Sequence, residues 1–331
     1  MPNSGAAIIC RLDFITFVYM RTTLLSFFLF SALHITAQNE KYYNYKWEPC
    51  APGDARFVSL TDKTDSGWVK KDFYLSTKKL QMKGLYKDSS LKIKNGWFRY
   101  FYANQVLSSQ GNYVNGEKDG LWLSYHYNGM MNDSTVYQDG RIRSTTGWHI
   151  NGNPSDSTVI STDGTGVHVY WFDNGQPSAS GRTYRGDKEK KWQYFHKNGK
   201  LAAVEEYEQD KLLTRIYYDE AGMQMTDTTS RDRNAEFKGG EKRWRSYLQA
   251  NLEFPPGVKL NNTEKITVVI NATIDEDGSV TDTYISVPVH PKFDEEALRV
   301  FRKSPKWNPS ISHNRRVKYY IRQSITFGQY D

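Results

Sequence analysis

A mainly β chain, an antiparallel array of β-hairpins followed by a small α+β domain, is the fold that the sequence predicts. Three observations lead there. The 331 residues carry 9 Trp, 23 Tyr and 16 Phe on a background of 24 Gly and only 11 Pro, and aromatic side chains favour pleated strands while glycine supplies tight turns. A turn dipeptide returns at a nearly constant interval through the middle of the chain, which marks stacked repeats. Near residue 240 the apolar pattern takes on a helical spacing and then alternates, which marks a second domain.

Composition narrows the class further. Hydrophobic residues are 38% and charged residues 24% of the chain, a balance that excludes a polytopic membrane protein, while the aromatic content excludes disorder. The formal charge of +7 is dispersed. Lys188-Glu189-Lys190-Lys191 is mixed with an acid and Arg315-Arg316-Val317-Lys318 sits at a strand end, so no nucleic-acid partner is expected.

The first element is a leader, residues 1–37. Met20-Arg21-Thr22-Thr23 precede an apolar run from Leu24 to Leu33, and His34-Ile35-Thr36-Ala37 leads into polar Gln38-Asn39-Glu40-Lys41. An apolar core of about ten residues suits a signal peptide and falls short of the roughly 20 that span a bilayer. Met20 reads as the start, with cleavage after Ala37 and a periplasmic, cell-envelope product. Left uncleaved, the same segment is an inner-membrane anchor. Cys10 lies in the leader, where Ile8-Ile9 lack the small residue that lipid attachment wants, and Cys50 is the one mature cysteine. No internal disulfide is then available, and a lone thiol without a placed base is no nucleophile.

Residues 38–225 form the repeat region. Asn-Gly or a near equivalent recurs at Asn104-Gln105, Asn128-Gly129, Asn151-Gly152, Asn174-Gly175, Asn198-Gly199 and Ala221-Gly222, at intervals of 23 or 24 residues. Four residues before each second turn position stands an aromatic: Phe101, Tyr125, Trp148, Trp171, Phe195 and Tyr218. Each unit reads as a hairpin, with positive φ expected at both central turn residues and the same device at Gly116 and Gly140 on the other side. One hairpin cannot bury its aromatics alone, so the units stack into an elongated antiparallel sheet. His126, His149 and His196 follow the aromatic in three units. Their position is shared with Tyr102, Phe172 and Asp219, so the row is read as an amphipathic one that tolerates many residues, with no metal expected.

The motif G-x-W-x-x-Y-x-x-N-G, best matched by Gly120, Trp122, Tyr125, Asn128 and Gly129, resembles the MORN-repeat variant family over residues 70–225. Earlier aromatic-rich sequence resembles a diverged cap. Thr145, His168 and Arg215 replace the Trp and Lys190 the Gly, so those units depart from the pattern.

Residues 226–235, polar and poor in apolar side chains, read as a linker to a domain at 236–331. Trp244, Tyr247, Leu248 and Leu252 stand at helical spacing before Phe254-Pro255-Pro256. Ile266 to Ile274 alternates as a strand, Asp275-Glu276-Asp277-Gly278 turns, and Val280 to Val287 returns as its hairpin partner. Phe293 to Phe301 is a helix with acids in its first turn. Pro305-Lys306-Trp307-Asn308-Pro309 stops it, and Val317 to Phe327 is a closing strand.

That order, with Phe237-Lys238-Gly239-Gly240, Phe254-Pro255, Asp275 to Asp282, Phe293 to Leu298 and Pro305 to Pro309 as its words, resembles the carboxy-terminal domain of TonB in its Bacteroidetes-type version. Glu264-Lys265 depart from it where a Gly is usual, and the long Pro-rich spacer of TonB transducers is missing. The resemblance implies no catalysis and no cofactor. It implies binding of the TonB box peptide of an outer-membrane transporter by strand addition along Val317-Lys318-Tyr319-Tyr320-Ile321-Arg322-Gln323-Ser324-Ile325-Thr326, with inner-membrane energising proteins as further partners if the leader stays. Six hairpins of two strands, at about 4.8 Å each, give a stiff spacer of about 55–60 Å. The alternative is an envelope scaffold whose repeat sheet binds protein or cell-wall glycan, with no energy transduction. The Asp275-Glu276-Asp277 and Asp294-Glu295-Glu296 clusters fall at a turn and a helix start, where solvated carboxylates are expected.

Overall fold

The computed structural model describes residues 40–260 and 265–328. The leader, its start at Met20 and cleavage after Ala37, Cys10 and Glu264 lie outside the described residues. From Gln38 to Asp331 the chain clusters as one compact unit.

The repeat region is a single sheet. Its first strands are Lys41–Tyr43 (β1), Phe57–Thr64 (β2), Gly67–Tyr74 (β3), Leu80–Tyr86 (β4) and Lys94–Phe101 (β5). Leu107–Val114 (β6), Glu117–Tyr125 (β7), Met131–Gln138 (β8), Arg141–Trp148 (β9) and Pro154–Ile160 (β10) follow. Thr165–Trp171 (β11), Pro177–Tyr184 (β12), Asp187–Phe195 (β13), Leu201–Glu208 (β14) and Lys211–Tyr217 (β15) complete it. The fifteen strands pair in chain order, with no crossover.

The two ends of the hairpins use different turns. At Asn128-Gly129, only the glycine has positive φ (89°); Gly129 N donates to the His126 carbonyl at 2.8 Å, and the register shifts between Ser124 and Tyr125. This is a type I turn closed by a left-handed residue, not the expected turn with two positive φ values. The expected turn occurs at the opposite end, where Asn115 and Gly116 (52° and 94°) and Asp139 and Gly140 (49° and 72°) are both left-handed. The Asn of the first turn has separate work. Asn128 Oδ1 accepts from Met130 N at 3.0 Å, and the amides of Asn151, Asn174 and Asn198 donate to the carbonyls of Asp173, Lys197 and Glu220 in the next unit.

The Trp of the G-x-W motif packs on a glycine of the preceding strand, whereas the motif's own Gly120 has open space around it and a positive φ of 66°. Trp122 lies over Gly111, where a Cβ would come within 2.2 Å of the indole, and its Nε1 donates to the Asn112 carbonyl at 2.9 Å. Trp192 repeats this over Gly181, and Phe98 over Gly84. Where Thr145 and His168 replace Trp, hydroxyls bridge the strands instead: Thr135 meets Thr145 at 2.9 Å, and His168 meets Thr158 at 3.0 Å and Thr183 at 2.9 Å.

The second domain contains Gly240–Asn251 (α1), Lys265–Ile274 (β16), Val280–Val287 (β17), Pro291–Arg302 (α2), Ser310–Ser312 (β18), Arg315–Val317 (β19) and Tyr319–Gly328 (β20). Its sheet has the order β17-β16-β20. The short β18–β19 hairpin was not expected; His313 and Asn314 turn it with φ of 51° and 61°, without any glycine. The closing strand consequently starts at Tyr319, and Val317 belongs to β19. The core joins Trp244, Phe293, Phe301, Trp307, Ile270 and Ile325 between the helices and one sheet face. Gly278 is required by that core, since a Cβ there would sit 2.1 Å from the Trp307 carbonyl oxygen.

The other sheet face packs on the array. Val269 and Val287 form a cluster with Phe57 and Tyr74 of β2 and β3. Tyr284 stacks on Tyr127 at 4.3 Å, and Glu276 at the β16–β17 turn meets Lys197 at 3.2 Å. The β16–β17 hairpin thus lies lengthwise along the array. The repeats do not hold the domain at a distance, as the spacer expectation required; they cradle it.

Candidate binding edge and adjoining groove

The closing strand pairs with β16 from Lys265↔Gly328 to Ile274↔Tyr319, and among the described residues no strand pairs with its other side. Alternation divides its side chains. Tyr319, Ile321, Ile325 and Phe327 pack on the core, whereas Tyr320, Arg322, Ser324 and Thr326 are exposed, Tyr320 at 73%. Arg322 donates to the Tyr45 carbonyl at 3.4 Å, the Gln323 amide to the Ser324 carbonyl at 3.2 Å, and Thr326 meets Thr267 at 2.9 Å. The two residues expected to open this strand serve other ends. Val317 closes the β18–β19 hairpin, and Lys318 pairs with Asp173 at 2.8 Å and Asp275 at 3.3 Å.

The repeat aromatics Phe101, Tyr125, Trp148, Trp171, Phe195 and Tyr218 are half-buried at the strand ends. Their backbone carbonyls matter as much as their rings. Tyr74 and Tyr102 hydroxyls donate to the Phe101 and Tyr125 carbonyls at 3.0 and 2.8 Å. His126, His149 and His196 point Nε2 at the carbonyls of Trp148, Trp171 and Tyr218 at 2.8, 2.9 and 3.0 Å. Where Tyr102 or a histidine occupies the row, it is therefore a hydrogen-bond ladder that ties one unit to the next; Phe172 and Asp219 occupy the same position without donating to it. Among the described residues no group of three His, Cys, Asp or Glu is placed to hold a metal ion.

Beside the start of β20 lies a groove of about 620 Å³. One wall is the array, with Trp148, Asp156, Tyr170 and Lys188; the other is formed by Arg315, Val317, Lys318 and Tyr320. The β18–β19 hairpin anchors that second wall. His313 Nδ1 lies 2.8 Å from Glu205 Oε2 and its ring stacks on Tyr194 at 3.7 Å. Glu205 has no exposed surface and also accepts from Arg215 at 2.7 Å and Tyr207 at 2.5 Å. Burial alone pushes this carboxyl up, but the bonds from His313, Tyr207 and Arg215 outweigh it and hold its pKa at about 2. Asp173 shows the same balance: burial opposes, Lys197 and Lys318 prevail, and its pKa is about 2. Arg315 donates Nη1 to the Ser178 carbonyl at 2.6 Å and lies over the rings of Phe172 and Tyr194.

Spacing could not reveal these contacts. Glu205 and His313 are 108 residues apart in sequence, and the one available signal is the polar pair His313-Asn314 between two short apolar-polar runs.

Comparison with known proteins bears on this half of the chain. Residues 251–328 match the family described as the Gram-negative bacterial TonB protein C-terminal, so this segment is similar to a TonB carboxy-terminal domain. That class belongs to the Gram-negative envelope and works in energy transduction rather than catalysis. The match covers about a quarter of the chain. No curated protein matches. Among solved structures, the chain is similar to the crystal structure of the GtfA/B complex bound to UDP and GlcNAc, at 12% identity and a TM-score of 0.14. The similarity spans 41% of this chain and 25% of that one, and overlap so low carries no argument.

Proposed function

We propose that this chain is a non-enzymatic periplasmic binding protein in which a leader (1–37), a MORN-like array (38–225), a joining segment (226–235) and a TonB-type domain (236–331) serve outer-membrane uptake. The domain docks to a TonB-dependent transporter by taking the transporter's TonB box peptide as an added strand along Tyr319 to Thr326, the part of the expected Val317–Thr326 edge that lies in β20. The observation that carries this reading is the ten-residue β20, bonded to β16 on one side and, among the described residues, to no strand on the other. An unpaired strand edge offers a row of main-chain donors and acceptors, and its alternating exposed side chains supply selectivity. If the leader is retained, the chain also engages inner-membrane energising proteins and transduces their energy. Among the described residues no helix is long and apolar enough to cross a membrane.

Titration of the full chain with synthetic plug peptides from outer-membrane transporters, followed by calorimetry, tests the docking. Binding at micromolar concentration that is lost when alternate peptide amides are N-methylated is the expected outcome, because strand addition uses those N–H groups. No binding by any plug peptide sinks the reading. Amino-terminal sequencing of the exported protein decides between a free periplasmic form and an anchored one.

A further inference from the structure

The groove beside the start of β20 contains charge that main-chain pairing leaves unused. Lys188 reaches the Tyr194 hydroxyl at 2.9 Å and lies over the rings of Trp192 and Tyr207. Arg315 spends Nη1 on Ser178, and its Nε is buried without a partner. Neither cation forms an ion pair among the described residues. Three nearby acids are committed to other cations, Glu205 to Arg215 and His313, Asp173 to Lys197 and Lys318, and Glu276 to Lys197, while Asp210 and Asp232 accept from the Lys188 and His313 backbone N–H groups. Burial lowers the pKa of Lys188, and lowers that of Arg315 to about 10, against the opposing fields of Glu205, Asp210 and Asp232 at Lys188 and of Tyr194 and Asp232 at Arg315, the mark of cations short of water. The remaining groove carboxylate, Asp156, accepts from Ser155 and forms no ion pair among the described residues. It stands on β10, two strands from β12 and about 10 Å away at ordinary strand spacing, so the groove is positive at one end and negative at the other.

We propose that this groove reads charge in the peptide that adds to β20, accepting an acidic residue against Arg315 and Lys188 where the peptide passes Tyr320. The inference rests on strand addition at β20. A groove wall that is also an open strand edge selects an extended peptide as the occupant, and the paired half-buried cations select its sign. The hydrogen bonds of Arg315 among the described residues run through Nη1, and a guanidinium binds carboxylate more strongly than a neutral amide does. Tyr170 and Trp148, both half-buried, form an aromatic wall for the peptide's neighbouring side chain.

The test takes a plug peptide and flanks it at both ends with Glu, Gln or Lys, so that strand direction does not matter. For the full chain, the Glu form is expected to bind about tenfold more tightly than the Gln form, with the Lys form weakest; a charged hydrogen bond contributes roughly this much. Arg315→Gln should bring the Glu and Gln peptides to equal affinity. Because Arg315 also holds Ser178, Lys188→Gln is measured beside it and should narrow the same difference without loosening that contact. Equal binding of the three peptides to the unmodified chain overturns the charge selection and leaves strand addition standing. Failure of all three to bind overturns strand addition, and the selection with it.

Discussion

At the scale of single residues, Glu205 joins the two parts of the molecule through one side chain. It lies in β14, yet one of its partners is His313 in the distant hairpin. Its folded pKa, about 2, is below the 4.5 of an ordinary glutamate, so the unfolded chain takes up the proton first. The stabilisation is therefore complete above about pH 4.5 and is lost as pH falls towards 2. Urea unfolding followed at pH 5, 4 and 3 should show falling midpoints. Glu205→Gln should lower stability at neutral pH by about 3 kcal/mol, since Arg215 is left half-buried without its carboxylate, and should flatten the acid dependence; an unchanged acid slope in the variant would refute the assignment. Asp294 works in the opposite sense. Burial raises it to about 6 despite a bond from Val289 N, so what its protonated form contributes is full below about pH 4 and lost as pH rises through 6. The sequence marked Asp294 as a solvated helix-start acid, and that reading missed its burial, because helix position reports the dipole and not the neighbour that covers it.

Among the elements, the repeat period and its aromatic position were visible before any coordinates, because a 23-residue hairpin places chemically similar groups at similar sites. Less visible was why each type recurs. Asn151, Asn174 and Asn198 bond to the next unit, and after the aromatic Tyr102, His126, His149 and His196 donate to the next unit's carbonyl; periodicity locates such positions without saying what they touch. The glycine opposite each Trp is the clearest case of cause. Gly111→Ala would place a methyl group against the Trp122 ring and should destabilise the chain by about 1–3 kcal/mol, the usual cost of overpacking, as read by denaturant unfolding with tryptophan emission as the signal. Gly116→Ala is the control for a turn glycine, since it has open space but φ of 94°; its cost is backbone strain and leaves Trp122 emission unaltered. A Gly111→Ala variant as stable as the parent would show that the ring is free to move aside.

For the whole molecule, fold class and element order could be read from periodicity, which reports the face an element buries. The partner for that face could not. Val269 alternates away from the domain's own core and meets Phe57 and Tyr74, some 200 residues earlier, and the β18–β19 hairpin was too short to show a period. The consequence is thermodynamic. Array and domain share the Phe57–Val287 cluster, the Tyr127–Tyr284 stack and the Glu205–His313 bond, so calorimetry of the full chain should record one unfolding transition. The double variant Tyr284→Ala with Glu205→Gln should separate it into two. Two transitions in the parent chain would mean that the contacts are too weak to couple the parts.

The lengthwise seat of the β16–β17 hairpin also makes the domain a gauge of repeat number. One end of that hairpin rests on β2 and β3, its turn reaches the β13–β14 connection, and the adjoining β18–β19 hairpin holds Glu205 of β14. Removing or adding a unit moves one set of contacts by two strands relative to the other, out of register with the hairpin that meets both. Ordinary repeat arrays gain and lose units freely at their ends; this one is measured at both ends by a template of fixed length, so its unit count is inherited with the domain that it cradles.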